Sequence, residues 1–279
     1  MLGQIIAAIL GASSTILDKV VLSRHKVDVK QFIIVMFFIL WLVTALTMPW
    51  LGGVDLVRAI APLGVLYFLL LIFFAFVWNS IYYRVQKHET VQEFEIIVMM
   101  LPLFTATLAA AIFPDERNWH VFGATIIAAL ALIISHLRRD HLTFNKYSWQ
   151  LIVAIFFIAL EEQVRKVLLD WFEPASLYFF RTGVLAILFI LAWHPAKLSI
   201  PKKSWPHMIF SGISGAIMMI LIFYGYRSLG IVLTTLILML GPVLTYFLDF
   251  FILKEKLQPR IVVAAVVILG CILYAGLMT

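Results

Sequence analysis

The sequence predicts an all-α membrane protein of ten transmembrane helices, arranged as two inverted repeats of five helices each. Three observations support this prediction. Of the 279 residues, 63% are hydrophobic and the mean hydropathy is +1.04, whereas soluble domains contain about 45–50% apolar residues. The chain divides almost completely into apolar segments long enough to cross a bilayer. Short sequence patterns of the first half recur in the second half.

The predicted spans follow from segment length. A helix needs about 20 mostly apolar residues to cross about 30 Å of hydrocarbon. The loops between the apolar segments are too short to fold separately, so the chain has no room for a soluble catalytic, nucleotide-binding or nucleic-acid-binding domain. The net charge of +6 is therefore interpreted as a topology signal. The predicted spans are 2–22, 31–51, 60–83, 91–113, 119–137, 149–169, 175–194, 206–227, 231–253 and 260–278.

The chain contains an internal duplication. The pattern of residues 17–23 recurs at 164–170, and residues 99–102 recur at 239–242. Because each copy holds an odd number of spans, the second copy enters the bilayer in the opposite orientation, as in transporters that expose one site alternately to two sides. The predicted repeats are 1–140 and 147–279.

Loop charge predicts the orientation of a multi-pass protein of the cell membrane. The loops after the odd-numbered spans hold 15 Lys and Arg residues and those after the even-numbered spans hold five. The positive-inside rule then places the odd loops in the cytoplasm and both termini outside. The first span is interpreted as a retained helix, because no basic segment precedes it. Cys271 is the single cysteine, so no disulfide framework, zinc site or cofactor is expected.

The second repeat carries charged residues deep in its first span. Glu161 and Glu162 lie about twelve residues into the span, near the bilayer centre. Arg165 and Lys166 follow at i+4, where a helix places them on the same faces as the two carboxylates. Two intrahelical ion pairs would explain this pattern. The functional alternative is that one carboxylate faces a wet cavity and carries a proton or binds a cationic group.

The first repeat has charged and polar residues at the corresponding place. Lys19 is long enough to extend toward the membrane surface, whereas Asp18 is too short and needs a partner or a substrate. Ser14 is the repeat counterpart of Glu161, and a serine at that depth bonds its own helix or a ligand.

Aromatic and hydroxyl side chains complete the set of candidate site residues. Aromatic residues near a span end belong to the membrane interface or line a cavity. Threonines a turn or two before a proline can bond freed backbone carbonyls or the substrate. The candidates of these two kinds are Trp78, Asn79, Tyr82, Tyr83, Tyr224, Tyr226, Thr234 and Thr235. Pro102 and Pro242 recur at matching positions, and such matched helix breaks mark the site of a transporter.

The ordered set of these motifs resembles the EamA-like transporters of the drug/metabolite transporter superfamily. In the first copy, the matching residues are Tyr82-Tyr83-Arg84, the segment that ends at Pro102 and Asp115-Glu116. In the second copy, they are Arg165-Lys166, Pro174 to Arg181, Phe223 to Arg227, Gly241-Pro242, Lys254-Glu255-Lys256 and Val267 to Gly270. The resemblance covers essentially the whole chain.

The resemblance implies a ten-helix monomer with a central cavity, lined by spans one, three, four, six, eight and nine. Members of the family move amino acids, amines, nucleosides, sugar derivatives and drugs, often as exporters and often coupled to protons. This sequence departs from the pattern in its Glu161-Glu162 pair and in having Met36 where the second copy has Arg181. Family members usually keep both termini in the cytoplasm, whereas the loop charges predict both outside.

The predicted function is secondary active transport, in the export direction, of a small organic metabolite such as an amino acid, amine or nucleoside. Alternating access is the expected mechanism, and coupling to protons is one candidate for the energy source of transport. Expected partners are the small-molecule substrate and the lipid bilayer, with no nucleic acid, and the chain is expected to be a monomer or homodimer. The alternative is a flippase of a lipid-linked substrate. A cation channel is disfavoured because no filter-like loop or acidic ring appears, and no nucleophile or phosphate-binding motif indicates an enzyme.

Overall fold

The fold is built from α-helices joined by short loops. The structure, a computed structural model, describes residues 1–88, 94, 97–136, 145–194, 199–244 and 259–278. Within these ranges no strand forms, and the extended backbone pairs only at an antiparallel bridge between Val54 and Phe172. The prediction of an all-α protein is therefore confirmed. The matching residues at 254–256 and the predicted end of the ninth span lie outside the described residues.

Long apolar stretches form helices because backbone groups in hydrocarbon must be hydrogen-bonded within their own segment. Polar caps set several helix starts: Asp28 accepts from the Lys30 N–H at 3.0 Å, and Asn145 accepts from the Ser148 N–H at 3.0 Å. The α-helices are α1 (Leu2–Lys19), α2 (Val29–Leu51), α3 (Leu56–Ile60), α4 (Pro62–His88), α5 (Leu101–Ile112), α6 (Trp119–His136), α7 (Lys146–Leu168), α8 (Pro174–Trp193), α9 (Trp205–Leu229), α10 (Ile231–Leu238) and α11 (Pro259–Leu277).

Several helices are long and apolar enough to cross a membrane. Among the described residues, five segments meet both criteria: Leu2–Arg24, Val29–Leu51, Pro62–His88, Pro174–Trp193 and Lys202–Leu229. Shorter apolar helices cover Leu101–Ile112, Trp119–Ser135, Ile231–Leu244 and Val262–Leu277. Helix α7 is 23 residues long but is not among the five, and it carries the predicted charge cluster. The chain is a multi-pass membrane protein, and the ten-span inverted repeat stays a prediction.

Helices of residues 1–140 pack in pairs against helices of residues 147–279. Helix α4 packs mainly against α7, α1 against α9, α2 against α8 and α6 against α11. The main apolar core lies between these two parts of the chain and includes Leu132, Phe223 and Ile237. Large apolar side chains such as Phe73 and Val266 are exposed on the outer surface, where a bilayer would cover them.

Two helical segments are interrupted close to Pro102 and Pro242, where the sequence predicted helix breaks. A turn at Met99–Met100 precedes α5, and Pro102 lies in the first turn of α5. Met239 forms a turn after α10, and the helix resumes over residues 240–244, which include Pro242. Both turns lie within three residues before a proline, because a proline cannot donate to the preceding turn and disfavours helical geometry just before it.

The loops lie on two faces of the helix bundle. The terminal face carries Met1, Met278 and residues 52–55, 113–118, 169–173 and 230. There the Asn118 side-chain amide donates to the Met278 carbonyl at 3.1 Å. On the opposite face, here called the basic face, His25 Nδ1 and Ser204 Oγ are 3.0 Å apart, and the Ser199 N–H donates to Gln31 Oε1 at 3.0 Å.

Candidate functional site

A buried ion cluster centres on Glu161. Arg165 Nη2 lies 2.8 Å and Arg181 Nε lies 2.6 Å from Glu161 Oε1. Arg181 Nη2 also donates to Oε2 at 3.3 Å, and the Trp78 indole N–H donates to the same oxygen. The carboxylate has no exposed surface, and both arginine side chains are 3% exposed. Both oxygens of Glu161 are therefore held by cations and donors from three helices.

The sequence alone explains one of the two ion pairs of this cluster, that between Glu161 and Arg165. Arg165 follows Glu161 at i+4 on α7, so the helix itself brings the two groups together. Arg181 lies on α8 and reaches Glu161 only because α7 and α8 are consecutive helices that place their charges at one depth. The Arg181 guanidinium therefore lies at a carboxylate of a neighbouring helix.

Glu162 faces a different environment, made of hydroxyl groups. Thr105 Oγ1 donates to Glu162 Oε2 at 2.5 Å, and the Tyr226 hydroxyl lies beside the same carboxylate. Thr235 lies next to Tyr226 and is 6% exposed. These groups come from α5, α9 and α10, so Glu162 lies where these three helices meet α7.

Asp18 is buried and has a neutral hydrogen-bond partner. Ser211 Oγ on α9 donates to Asp18 Oδ1 at 2.5 Å, and Ser14 Oγ is 2.8 Å from Ser211 Oγ. Asp18 is 6% exposed. Within the described part of the chain, no lysine, arginine or histidine forms an ion pair with this carboxylate. The neighbouring Lys19 points elsewhere and donates to the Gln86 carbonyl at 2.5 Å.

The chain changes its helical geometry two residues after Asp18. Residues Val20–Arg24 form a π-helical turn, in which the His25 N–H donates to the Val20 carbonyl at 3.1 Å. Such turns are rare in proteins, and those that do occur lie frequently at functional sites. At about 1.5 Å per residue, Asp18 lies roughly 9 Å from the end of this helix at Arg24. The carboxylate is therefore within the bilayer but nearer to the basic face than to the terminal face.

The aromatic candidates divide into two groups. Trp78, Tyr82 and Tyr83 pack edge to face along α4, with ring centroids 5.7 and 5.5 Å apart. The Trp78 indole N–H also contacts a charged group, because it donates to Glu161. Tyr226 lies at Glu162, whereas Tyr224 is partly buried against the core.

Two remaining polar candidates have no such partners. The Asn79 amide donates to the Ala75 carbonyl of its own helix at 2.7 Å, which accounts for its burial. The Thr234 hydroxyl is fully buried and has no hydrogen-bond partner among the described residues.

Lys166 takes part in a second ion cluster, on the terminal face. Its ammonium lies 2.5 Å from Asp115 Oδ2 and 2.5 Å from Glu116 Oε1, rather than on Glu162 as the helical spacing suggested. The ammonium also lies 4.6 Å from the centre of the Phe113 ring. Hydrogen bonding to Lys166 lowers the pKa of Asp115. The ion pair between Lys166 and Asp115 therefore contributes to the stability of the protein at neutral pH. This contribution is lost only as the pH falls through the lowered pKa of Asp115.

Glu116 also caps helix α10. Its carboxylate accepts the Ile231 N–H at 2.7 Å and the Val232 N–H at 3.1 Å. These N–H groups lie in the first turn of α10, where they lack partners within the helix and attract a negative charge. Gly230 precedes them with φ of +82°, and a Cβ at this position would lie 2.7 Å from Glu116 Oε1.

Replacing Gly230 with alanine should therefore destabilise the protein by about 1–3 kcal/mol, since the backbone conformation is strained for other residues and the added carbon meets a carboxylate. The melting temperature in detergent measures the effect. Gly123→Ala is the matched control, because its Cβ would have no neighbour within 4 Å and α6 gains helix propensity. A Gly230→Ala variant as stable as the Gly123→Ala variant would contradict the prediction.

Sequence reasoning missed the partners that come from distant helices. Thr105 and Ser211 were not among the candidates, because single hydroxyl residues in apolar spans carry no signal of their own. Glu116 is part of the Asp115-Glu116 motif of the resemblance but was not among the candidate site residues. Among the described residues, no three His, Cys, Asp or Glu side chains are grouped as metal ligands. A surface groove of about 430 Å³ between α6 and α11, lined by Trp119, Cys271 and others, lies apart from the buried charges.

Comparison with known proteins relates the second half of the chain to a known family. The model of the EamA-like transporter family matches residues 145–276. No curated protein matches the sequence. A solved structure described as "Crystal structure of protein" has a TM-score of 0.73 and 14% sequence identity, and the alignment covers 97% of this chain and 96% of that chain; this likeness concerns the fold alone. The resemblance predicted from the sequence motifs is confirmed over residues 145–276, which match the EamA-like transporter family of the drug/metabolite transporter superfamily, a family of membrane transporters.

Proposed function

We propose that this protein is a secondary transporter of a small organic metabolite, and that Asp18 is the residue at which a proton or a cationic substrate group binds. The observation that carries the proposal is the environment of Asp18. A charged group in the bilayer costs about 2.5–3.5 kcal/mol and normally has a partner. Asp18 is buried and accepts from the Ser211 hydroxyl, which is itself bonded to Ser14, and no cation among the described residues pairs with it. A proton or an ammonium group would supply the missing charge compensation.

The other two carboxylates suit this role less well. Glu161 is already held by Arg165 and Arg181, so binding a proton there would leave two buried arginines without their counterion. Glu162 has hydroxyl partners and lies next in sequence to this cluster. We therefore place Glu161 in the framework of the site, as the residue that positions the two arginines, and Glu162 as a secondary candidate for proton binding.

The charges also favour one substrate class among those predicted. Asp18 matches an ammonium group, and guanidinium groups match a carboxylate by paired hydrogen bonds. Arg181 and Asp18 both lie close enough to Tyr83 to act on it electrostatically. A solute with a positive and a negative group, such as an amino acid, would therefore meet charges of both signs near Tyr83. A nucleoside has neither group in ionised form.

Helix pairing supports transport by alternating access between two inverted halves. If residues 1–140 and 147–279 are inverted copies, α1 corresponds to α7 and α4 to α9. The contacts α1–α9 and α4–α7 are then the same contact seen from each half. The turns before Pro102 and Pro242 also occupy matching positions. Inverted halves of this kind can rock about a site in the membrane. The excess of basic loop residues favours the terminal face as the outer one.

Transport assays in proteoliposomes test the proposal. The purified protein would be given labelled amino acids, amines and nucleosides one at a time, with and without an imposed pH gradient. We expect at least one amino acid or amine to accumulate in response to the gradient. Asp18→Asn should reduce this accumulation at least tenfold, because the amide can neither release a proton nor neutralise an ammonium group.

Ser13→Ala is the matched control for this experiment. Ser13 lies on the same helix but bonds the Ile9 carbonyl of that helix at 3.0 Å, so its loss should leave accumulation unchanged. Exchange without a pH gradient separates two roles of Asp18. Exchange that persists in Asp18→Asn indicates proton coupling, and exchange that is lost indicates substrate binding. Accumulation at the level of the unmodified protein in Asp18→Asn would contradict the proposal.

A further inference from the structure

The terminal face holds the two predicted halves together by a short backbone ladder. The Asp55 N–H donates to the Trp171 carbonyl at 2.8 Å, and the Glu173 N–H donates to the Gly53 carbonyl at 2.8 Å. These two bonds flank the antiparallel bridge between Val54 and Phe172. The ladder therefore joins the α2–α3 loop of the first half to the α7–α8 loop of the second half.

The Lys166 cluster joins the halves on the same face. Asp115 and Glu116 belong to the first half, whereas Lys166 lies at the end of α7 in the second half. Glu116 is 5% exposed, and its carboxylate is also bonded to the backbone of Ile231 and Val232 in the second half. Three segments of the chain thus meet at one carboxylate, and each contact crosses from one predicted half to the other.

We propose that the backbone ladder between residues 53–55 and 171–173 and the Lys166 cluster together form a gate that closes the terminal face. The proposal rests on transport by alternating access, because two halves that rock about a central site must separate on one face as they approach on the other. In the state seen here both contacts are made. The state that opens to the terminal face requires both to part.

A disulfide can test whether the ladder must open. A Cβ built on Gly53 lies 3.8 Å from Glu173 Cβ, and disulfide-bonded cysteines have Cβ atoms about 3.8 Å apart. Gly53→Cys combined with Glu173→Cys should therefore form a bond without movement of the backbone. The background would carry Cys271→Ser, so that the two introduced thiols are the only ones in the chain.

Oxidation of the double variant in proteoliposomes should lower uptake of the transported solute at least tenfold, and reduction should restore it. The single variants Gly53→Cys and Glu173→Cys should show the same uptake with and without oxidant. Thiol titration measures the fraction of chains that are bonded. Undiminished uptake in a double variant whose chains all carry the disulfide would contradict the proposal that the ladder is part of a gate. The proposed transport function would survive that result, because it would fail only if the reduced variants and the unmodified protein took up none of the solutes.

A second measurement applies if the double variant does not accumulate as folded protein. Val232→Cys places a thiol directly behind the Lys166 cluster, where the side chain is 1% exposed. Lys166→Met removes the ammonium and keeps the apolar stem. We expect a membrane-impermeant thiol reagent to label Val232→Cys at least tenfold faster when Lys166→Met is also present. Equal labelling rates in the two proteins would count against the cluster as part of the gate.

Discussion

Glu161→Gln is expected to destabilise the protein by about 3–5 kcal/mol, since the change leaves two buried arginines facing each other without a counterion. The glutamine side chain has nearly the same size and still offers one oxygen to Arg165 or Arg181. The loss therefore comes from charge and not from packing. Glu161 has no exposed surface, so water cannot take over the role of the carboxylate. The melting temperature of the purified protein in detergent, together with the yield of monodisperse protein, measures the effect.

The control for Glu161→Gln is the same substitution in an exposed ion pair. Glu173 Oε2 lies 2.6 Å from Arg227 Nη1, but the two side chains are 39% and 46% exposed. Exposed pairs contribute about 0–1 kcal/mol because water and salt screen them. Glu173→Gln should therefore change the melting temperature little. If Glu161→Gln melts no lower than Glu173→Gln, the buried cluster does not hold the helices as described.

A charge-balanced double variant separates structure from transport. Glu161→Gln combined with Arg181→Gln removes one charge of each sign and should regain part of the lost stability. If this double variant folds, its uptake reports on Arg181 as a substrate contact. Stable protein without uptake would assign Arg181 to binding, and stable protein with full uptake would leave the cluster with a purely structural role.

The pairing of Glu161 with Arg165 could be predicted from the sequence, whereas that with Arg181 could not. The first pair follows from i+4 spacing on one helix, which depends only on helical geometry. The second joins residues 20 positions apart on consecutive helices, so it depends on how α7 and α8 pack. Spacing alone therefore suggested two intrahelical pairs, and the structure contains one.

Lys166 shows why the second intrahelical pair does not form. Its side chain is long and lies at the end of α7, so it extends toward the membrane surface. There the loop after α5 presents Asp115 and Glu116. A loop partner of this kind cannot be located from the sequence, since it depends on the packing of α5 beside α7. The same reason explains why Ser211 and Thr105 were missed as partners of Asp18 and Glu162.

The helix breaks before Pro102 and Pro242 are the local feature that the duplication predicted best. Residues 99–102 and 239–242 are alike in sequence, and both contain a turn in the structure. A proline acts on the backbone of its own segment, so its effect needs no knowledge of neighbouring helices. Local features can therefore be predicted from this sequence, and contacts between helices require the three-dimensional structure.

Glu116→Ala is expected to destabilise the protein by about 2–4 kcal/mol, because the change leaves the N–H groups of Ile231 and Val232 buried without an acceptor and removes a charged partner from Lys166. Asp115 lies at the same 2.5 Å from Lys166, so distance alone would predict equal effects for the two residues. Burial predicts otherwise: Asp115 is 68% exposed and Glu116 is 5% exposed. Asp115→Ala should therefore cost about 0–1 kcal/mol.

Glu116→Gln distinguishes the two roles of the Glu116 carboxylate. Glutamine keeps an oxygen that can accept from the first turn of α10 but loses the charge that attracts Lys166 and the helix terminus. Its melting temperature should lie between those of the unmodified protein and Glu116→Ala. Added salt should lower the stability of the Asp115 pair more than that of the Glu116 pair, since exposed charges are screened and buried ones are not. Equal losses for Asp115→Ala and Glu116→Ala would show that Glu116 acts only as a surface partner of Lys166 and does not hold α10 against the first half of the chain.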